Sequence, residues 1–198
     1  MNNLIGIVNY GTAGNIHSIK KAIKKADGDL ILLNQPSDFN KVDRLVIPGV
    51  GSFKDAMKEL NENNFIDVLL NFKKPILGIC LGMQIMANSG FEYGKKKGLG
   101  FLNAEVQKIN CTKKIPHVGF NTIDVVNTNK LFSEIEDEEF YFMHSYEIKS
   151  NENILSLTKY GDYEFISSIS KDNYFGVQFH PEKSRDAGIK LFKNFMEL

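Results

Sequence analysis

Four short apolar runs in the first half of the chain, alternating with stretches of helical period, limit the fold more than any other feature. Leu4–Val8 is the first, ending at Tyr10-Gly11, and residues 30–33, 44–48 and 76–80 are the others. Runs without polar alternation suit strands buried on both faces. Between the first two, residues 16–26 put Ile16, Ile19, Ile23 and Ala26 on one helical face, with Lys20, Lys21, Lys24 and Lys25 elsewhere. Residues 53–72 carry a second helical pattern, long enough for two pieces, and residues 83–88 a third. This alternation predicts an α/β fold, a parallel sheet with helices on both faces. Later strand patterns fall at 104–109, 122–126, Glu139–His144, 155–159, 164–170 and 174–179, and such strands can extend the sheet antiparallel. Residues 188–198 close as a helix, with Ile189, Phe192, Phe195 and Met196 inward. No repeat or linker breaks the 198 residues, so 1–198 reads as a single domain. The runs Lys95-Lys96-Lys97 and 134–139 read as solvated surface.

Composition excludes several classes. Lys plus Arg and Asp plus Glu are 24 each, so the formal net charge is zero. A general nucleic-acid or membrane-surface binder would carry a basic excess. Two cysteines, Cys80 and Cys111, make no disulfide framework. The N-terminus enters an apolar run of strand length with no basic segment before it, so no signal peptide is expected. No stretch approaches the roughly 18 apolar residues of a membrane span. The expectation is a cytoplasmic protein with reduced thiols, no metal and no cofactor, because no His, Cys, Asp or Glu cluster has ligand spacing.

The chemistry centres on Gly78-Ile79-Cys80-Leu81-Gly82-Met83-Gln84. A cysteine ends an apolar strand, a glycine lies two residues to either side, and a helix pattern follows. Glycines there permit a tight turn and close strand–helix approach. This is the layout of a nucleophile elbow, with Cys in place of Ser. A thiol at a helix N-terminus is biased toward thiolate, and the Leu81 N–H can hold an oxyanion. A lone buried Cys, however, is more often a small core hydrophobe.

A cysteine nucleophile needs a base. Of His17, His117, His144 and His180, only His180 ends a strand pattern and has a carboxylate two residues on, in Phe179-His180-Pro181-Glu182-Lys183. In an extended segment the Glu182 side chain points the same way as that of His180, where it can fix the imidazole tautomer. Strand ends gather at one edge of a parallel sheet, so Cys80 and His180 can meet. A third element, Pro48-Gly49-Val50-Gly51, is a Gly-rich turn after a strand, whose N–H groups can complete an oxyanion hole. It lacks the Lys-Ser/Thr of a phosphate-binding loop.

These elements, in this order, resemble class I glutamine amidotransferases, and within them the glutaminase subunits of imidazole glycerol phosphate synthases. The resemblance spans the chain. It includes Gly14-Asn15, Pro116 through Asn121, Tyr141 through Tyr146 and Gly176 through Ser184. It implies a flavodoxin-like, mixed but mostly parallel sheet flanked by helices, with Cys80, His180 and Glu182 as catalytic residues. Gln84, Ser145 and Tyr146 match positions that bind the amino-acid end of glutamine, with backbone near Gly51. The ammonia would pass through a tunnel to a (β/α)8 synthase subunit in a heterodimer, which makes imidazole glycerol phosphate and aminoimidazole carboxamide ribotide for histidine biosynthesis. Asn15, Phe120, Tyr141 and Lys183 match segments that face that partner. The chain departs from the pattern twice. Phe120 stands where the family usually has Trp, and Arg185-Asp186-Ala187 where it often has small residues. The Phe120 departure leaves open a paralogue that feeds ammonia to a synthase for amidino modification of a nonulosonic sugar, and the second departure bears on partner contacts but not on the triad. A docking subunit with a vestigial site and a free-standing cysteine hydrolase are further alternatives. The complete Cys80, His180, Glu182 set opposes the first, and the partner-facing segments oppose the second.

Overall fold

The structure, a computed structural model, describes residues 3–11, 15–135, 139–150 and 152–198. Gly14 and residues 136–138 of the second charge run lie outside them. The chain begins with β1 Leu4–Val8, α1 Ile16–Lys25, β2 Asp29–Leu33 and β3 Arg44–Ile47. It continues through α2 Phe53–Glu62, α3 Ile66–Asn71, β4 Ile76–Ile79, α4 Leu81–Gln84, β5 Ala87–Gly90, β6 Lys96–Lys97 and β7 Leu102–Lys108. It ends with β8 His117–Thr122, β9 Asp124–Val125, β10 Glu139–His144, β11 Tyr146–Lys149, β12 Ile154–Tyr160, β13 Tyr163–Lys171, β14 Tyr174–Val177 and α5 Arg185–Met196.

Among the described residues the main sheet has eight strands in the order β2-β1-β3-β4-β14-β13-β12-β9. The first five are parallel, and β13, β12 and β9 continue it antiparallel. This is the expected α/β architecture. The α1 and α5 residues Ile19, Ile23, Leu191, Phe192 and Phe195 cover one face, packed on Ile5, Ile7, Val46, Leu77, Ile79 and Val177. The α2 and α3 side is built from Phe53, Ala56, Leu60, Phe65 and Leu69 on Val8, Leu45, Ile47 and Ile76. Alternate residues of one strand feed opposite layers, which is why these strands read as unbroken apolar runs. Each fully buried large aliphatic or aromatic residue contributes about 1.5–3 kcal/mol.

Several sequence expectations shift. The 83–88 helix is a single turn, α4, and Ala87 and Asn88 already belong to β5. The cause is tertiary pairing: Ile85 O and Ala87 O accept from Leu99 N and Gly100 N at 2.8 and 3.1 Å, which ends the helical ladder. The strand expected at 122–126 is divided between β8 and β9. Not all later strands extend the main sheet. β8 and β10 form a separate two-stranded ribbon, and β11-β7-β5-β6 a third sheet. Ile189 is only half-buried on α5, whereas Leu191 is fully buried.

The neighbours β3, β4 and β14 all end at the same edge, with Ile47 beside Gly78 and Ile79 beside Val177. The Gly49–Gly51 loop, Cys80 and His180 therefore leave the sheet side by side. Close backbone approach fixes the first two. A Cβ on Gly82 would sit 1.9 Å from Ile47 O, and one on Gly49 2.6 Å from Gly82 N. Gly51 has φ +105° but open space around it. Gly82→Ala should therefore cost more than 3 kcal/mol in urea unfolding, as a backbone clash that cannot relax. Gly51→Ala should cost only about 1–2 kcal/mol, from the left-handed backbone. Equal costs would contradict the packing described.

Candidate active site

Cys80 lies between β4 and α4 at φ 53°, ψ −109°, a conformation that an L-residue holds only when its surroundings force it. Its N–H is tied to Val177 O at 2.8 Å, which pins the elbow to β14. Because α4 is one turn, the helix dipole expected beside the thiol is reduced to that of a few peptide units. Leu81 begins that turn, where first-turn N–H groups have no intrahelical partner. The thiol lies 3.9 Å from Met143 O and receives the Gln178 Nε2 amide at 3.5 Å.

His180 follows β14, and its N–H bonds Tyr141 O at 2.8 Å. Its Nδ1–H donates to Glu182 Oε1 at 2.8 Å, with both side chains buried. The expected pair forms, but through a 3-10 turn, Pro181–Lys183, rather than an extended segment. Asn15 Nδ2 donates to the same carboxylate oxygen. Ser184 Oγ clamps the turn by donating to His180 O at 2.6 Å and accepting from Tyr141 N at 2.9 Å. With Nδ1 committed to Glu182, Nε2 is the atom left for the thiol. It is buried and makes no aligned hydrogen bond among the described residues, yet Cys80 is close enough to govern its charge. Burial opposes the imidazolium, but the neighbouring Cys80 and then Glu182 outweigh it and lift the His180 pKa from 6.5 to about 10.

Cys80 and His180 border a cavity of about 220 Å³. Val50, Gly51, Leu81, Gln84, Ser145 and Tyr146 line it. Gly49 does not; it packs against Leu81 and Gly82 and seats the loop. The loop's start is held by Tyr10, whose buried hydroxyl donates to Pro48 O at 2.6 Å. Gln84 Nε2 donates to Tyr146 O at 2.9 Å and to Gln178 Oε1 at 3.0 Å. Gln178 thus links Gln84 to the thiol. Sequence reasoning passed over it although it stands inside the His180 motif.

Glu92, Pro116, Met143 and His144 also line the cavity. Glu92 had no sequence signal; it caps α2 by accepting from Phe53 N at 2.8 Å. His144 Nδ1–H donates to Tyr146 O at 2.9 Å, and its Nε2 faces His117 Nδ1 at 3.2 Å. Burial drives both down, His144 to about 3 and His117 to about 4, so the pair is neutral. No group of described His, Cys, Asp and Glu residues could hold a metal ion.

A strained cysteine, a carboxylate-fixed histidine and a Gly-rich loop around one cavity can carry acyl transfer. The chain belongs to the class I glutamine amidotransferase family, whose model matches residues 7–198. Its relatives narrow this further. It is 42% identical to "Imidazole glycerol phosphate synthase subunit HisH 1" of Campylobacter jejuni (strain RM1221), over 98% of this chain and 100% of that one. It is 46% identical to subunit HisH 2 of Methanococcus maripaludis, over 98% and 99%. Among solved structures, PurLQS from Thermotoga maritima superposes with a TM-score of 0.76 at 16% identity, over 100% of this chain and 99% of that one, which shows the shared fold.

The His180 shift is testable. Its folded pKa is raised, so the stability that it contributes is complete below the unfolded value of 6.5 and is lost as pH rises through about 10. NMR titration should find the imidazole protonated well above pH 7. Cys80→Ala, which removes the strongest charge favouring the imidazolium, should lower the pKa, and Glu182→Gln should lower it less. An unchanged value in Cys80→Ala would mean that Cys80 does not control the histidine.

Proposed function

We propose that this chain is the glutaminase subunit of an imidazole glycerol phosphate synthase. It hydrolyses glutamine to glutamate and ammonia, and passes the ammonia to a synthase subunit that makes imidazole glycerol phosphate and aminoimidazole carboxamide ribotide in histidine biosynthesis. The observation that carries this reading is the buried His180–Glu182 pair beside Cys80 on an amino-acid-sized cavity. In the mechanism, the Cys80 thiolate attacks the side-chain carbonyl carbon of glutamine. The oxyanion is held by the Leu81 N–H and by an N–H of the Gly49–Gly51 loop, a contribution worth about 10²–10³ in rate for one such donor. His180 gives its proton to the leaving nitrogen, and ammonia departs from a γ-glutamyl thioester. Neutral His180 then takes a proton from water, and the resulting hydroxide attacks the thioester. Collapse expels the thiolate and leaves glutamate. Acid–base help of this kind supplies roughly 10²–10⁴.

Gln84, Ser145 and Tyr146 hold the amino-acid end of the substrate, and the Glu92 carboxylate faces its ammonium. Residues 1–198 act as one amidotransferase domain in the cytoplasm, in a heterodimer with a (β/α)8 partner. Among the described residues no helix is long and apolar enough to cross a membrane. Numbered subunits HisH 1 and HisH 2 occur in one Methanococcus maripaludis strain, so binding must identify which synthase this chain serves.

Gly51, unobstructed at φ +105°, lets the loop peptide rotate so that its N–H enters the oxyanion hole only in the activated complex. Glutaminase turnover should accordingly be low in the isolated chain and rise when the synthase subunit and its substrate are added. Cys80→Ala should abolish glutamine-dependent synthesis and spare synthesis from ammonium. Loss of both activities, or equal turnover with and without partner, would contradict the proposal.

A further inference from the structure

The two departures from the family pattern meet in space. Arg185 Cζ lies 4.3 Å from the centroid of the Phe120 ring, in cation–π geometry. Phe120 is 39% exposed. It stands opposite Tyr141 across the β8–β10 ribbon, their rings 5.6 Å apart, and Lys183 Nζ lies 5.3 Å over Tyr141. Two cations thus cover two neighbouring rings. Among the described residues neither cation has an ion pair, and the Arg185 guanidinium has no hydrogen bond. Glu182, three residues before Arg185, is turned inward to His180 and Asn15, and the adjacent Asp186 makes no ion pair with Arg185 among the described residues. Arg185 is also at φ 52°, a backbone conformation that suits glycine better than arginine. An exposed residue held there at a cost to folding points to a use outside the folded chain.

That use has a location. Val118, Phe120 and Met143 are large exposed apolar residues on this ribbon, with Val118 opposite Met143. Met143 also lines the cavity, and its carbonyl lies beside the Cys80 thiol. A subunit that receives ammonia formed at Cys80 must cover ground next to this cavity, and the ribbon is apolar ground rimmed by unpaired positive charge.

We propose that Arg185 and Phe120 form one recognition element for the synthase subunit, in which the ring holds the guanidinium flat and its N–H fork engages a carboxylate on that partner. This rests on the subunit reading above. Phe120 supplies the flat surface, and Arg185 supplies directional donors that a phenyl ring lacks. Lys183 over Tyr141 adds a second positive point, so the facing surface of the partner is acidic around an apolar centre.

The test is the affinity of the full chain for its own organism's synthase subunit, measured by calorimetry across a salt series. Arg185→Gly should weaken binding about ten-fold or more and flatten the salt dependence. Its thermal midpoint should hold or rise, because glycine relieves the strained backbone. Phe120→Leu should weaken binding similarly, and the double variant should be little worse than either single one. Additive losses, or an unchanged Kd in Arg185→Gly, would overturn the proposal while leaving the subunit reading intact. Failure of the unaltered chain to bind the synthase subunit would overturn both.

Discussion

The site depends on one backbone contact, that of Gly82 against the end of β3. A Cβ at Gly82 would meet Ile47 O at 1.9 Å, so the elbow touches the neighbouring strand end with no side chain between. Two consequences follow. The Gly49–Gly51 loop is held against Leu81 and Gly82, over the single turn of α4. Cys80, the residue joining β4 to that turn, is forced to positive φ, which presents its thiol at the sheet edge. The strain is stabilised by packing elsewhere, as functional backbone strain must be.

Charge is arranged around that elbow with the same economy. The Glu182 side chain is fully buried and acts through one oxygen, shared by His180 Nδ1 and Asn15 Nδ2. This commits one imidazole nitrogen and leaves the other for the thiol. Among the described residues the neighbouring His117–His144 pair has no such carboxylate, and burial keeps it neutral. Two kinds of buried histidine therefore stand within one site. One carries a proton that can be given to a leaving amine. The others serve as fixed hydrogen-bonding groups, and His144 shares the Tyr146 carbonyl with Gln84.

The parallel half of the fold was legible because β1, β3 and β4 are buried on both faces and read as unbroken apolar runs. The grouping of Cys80, His180 and Glu182 was legible because their motifs sit at strand ends, and neighbouring parallel strands bring such ends together. The rest was hidden for physical reasons. Met83 through Asn88 has helical composition, but segment 98–100 captures the carbonyls of Ile85 and Ala87 and turns the chain into β5. His117–Thr122 carries Gly119 and Asn121 and stands in its own ribbon, so its apolar signal is weak. Glu92 reaches the cavity from a segment without periodicity. Phe120 and Arg185 are 65 residues apart, and only the folded chain reveals that two separate departures from the family pattern are one contact.

The central claim is that glutamine is opened by covalent attack of Cys80. The most direct measurement is acid quench of the partner-stimulated reaction during turnover, followed by peptide mass analysis. The account predicts a γ-glutamyl group on the peptide that contains Cys80, absent from the peptide that contains Cys111 and absent altogether in Cys80→Ala. Glutamate release at full rate with no acyl group on Cys80 at any quench time, or an acyl group on another residue, would contradict it.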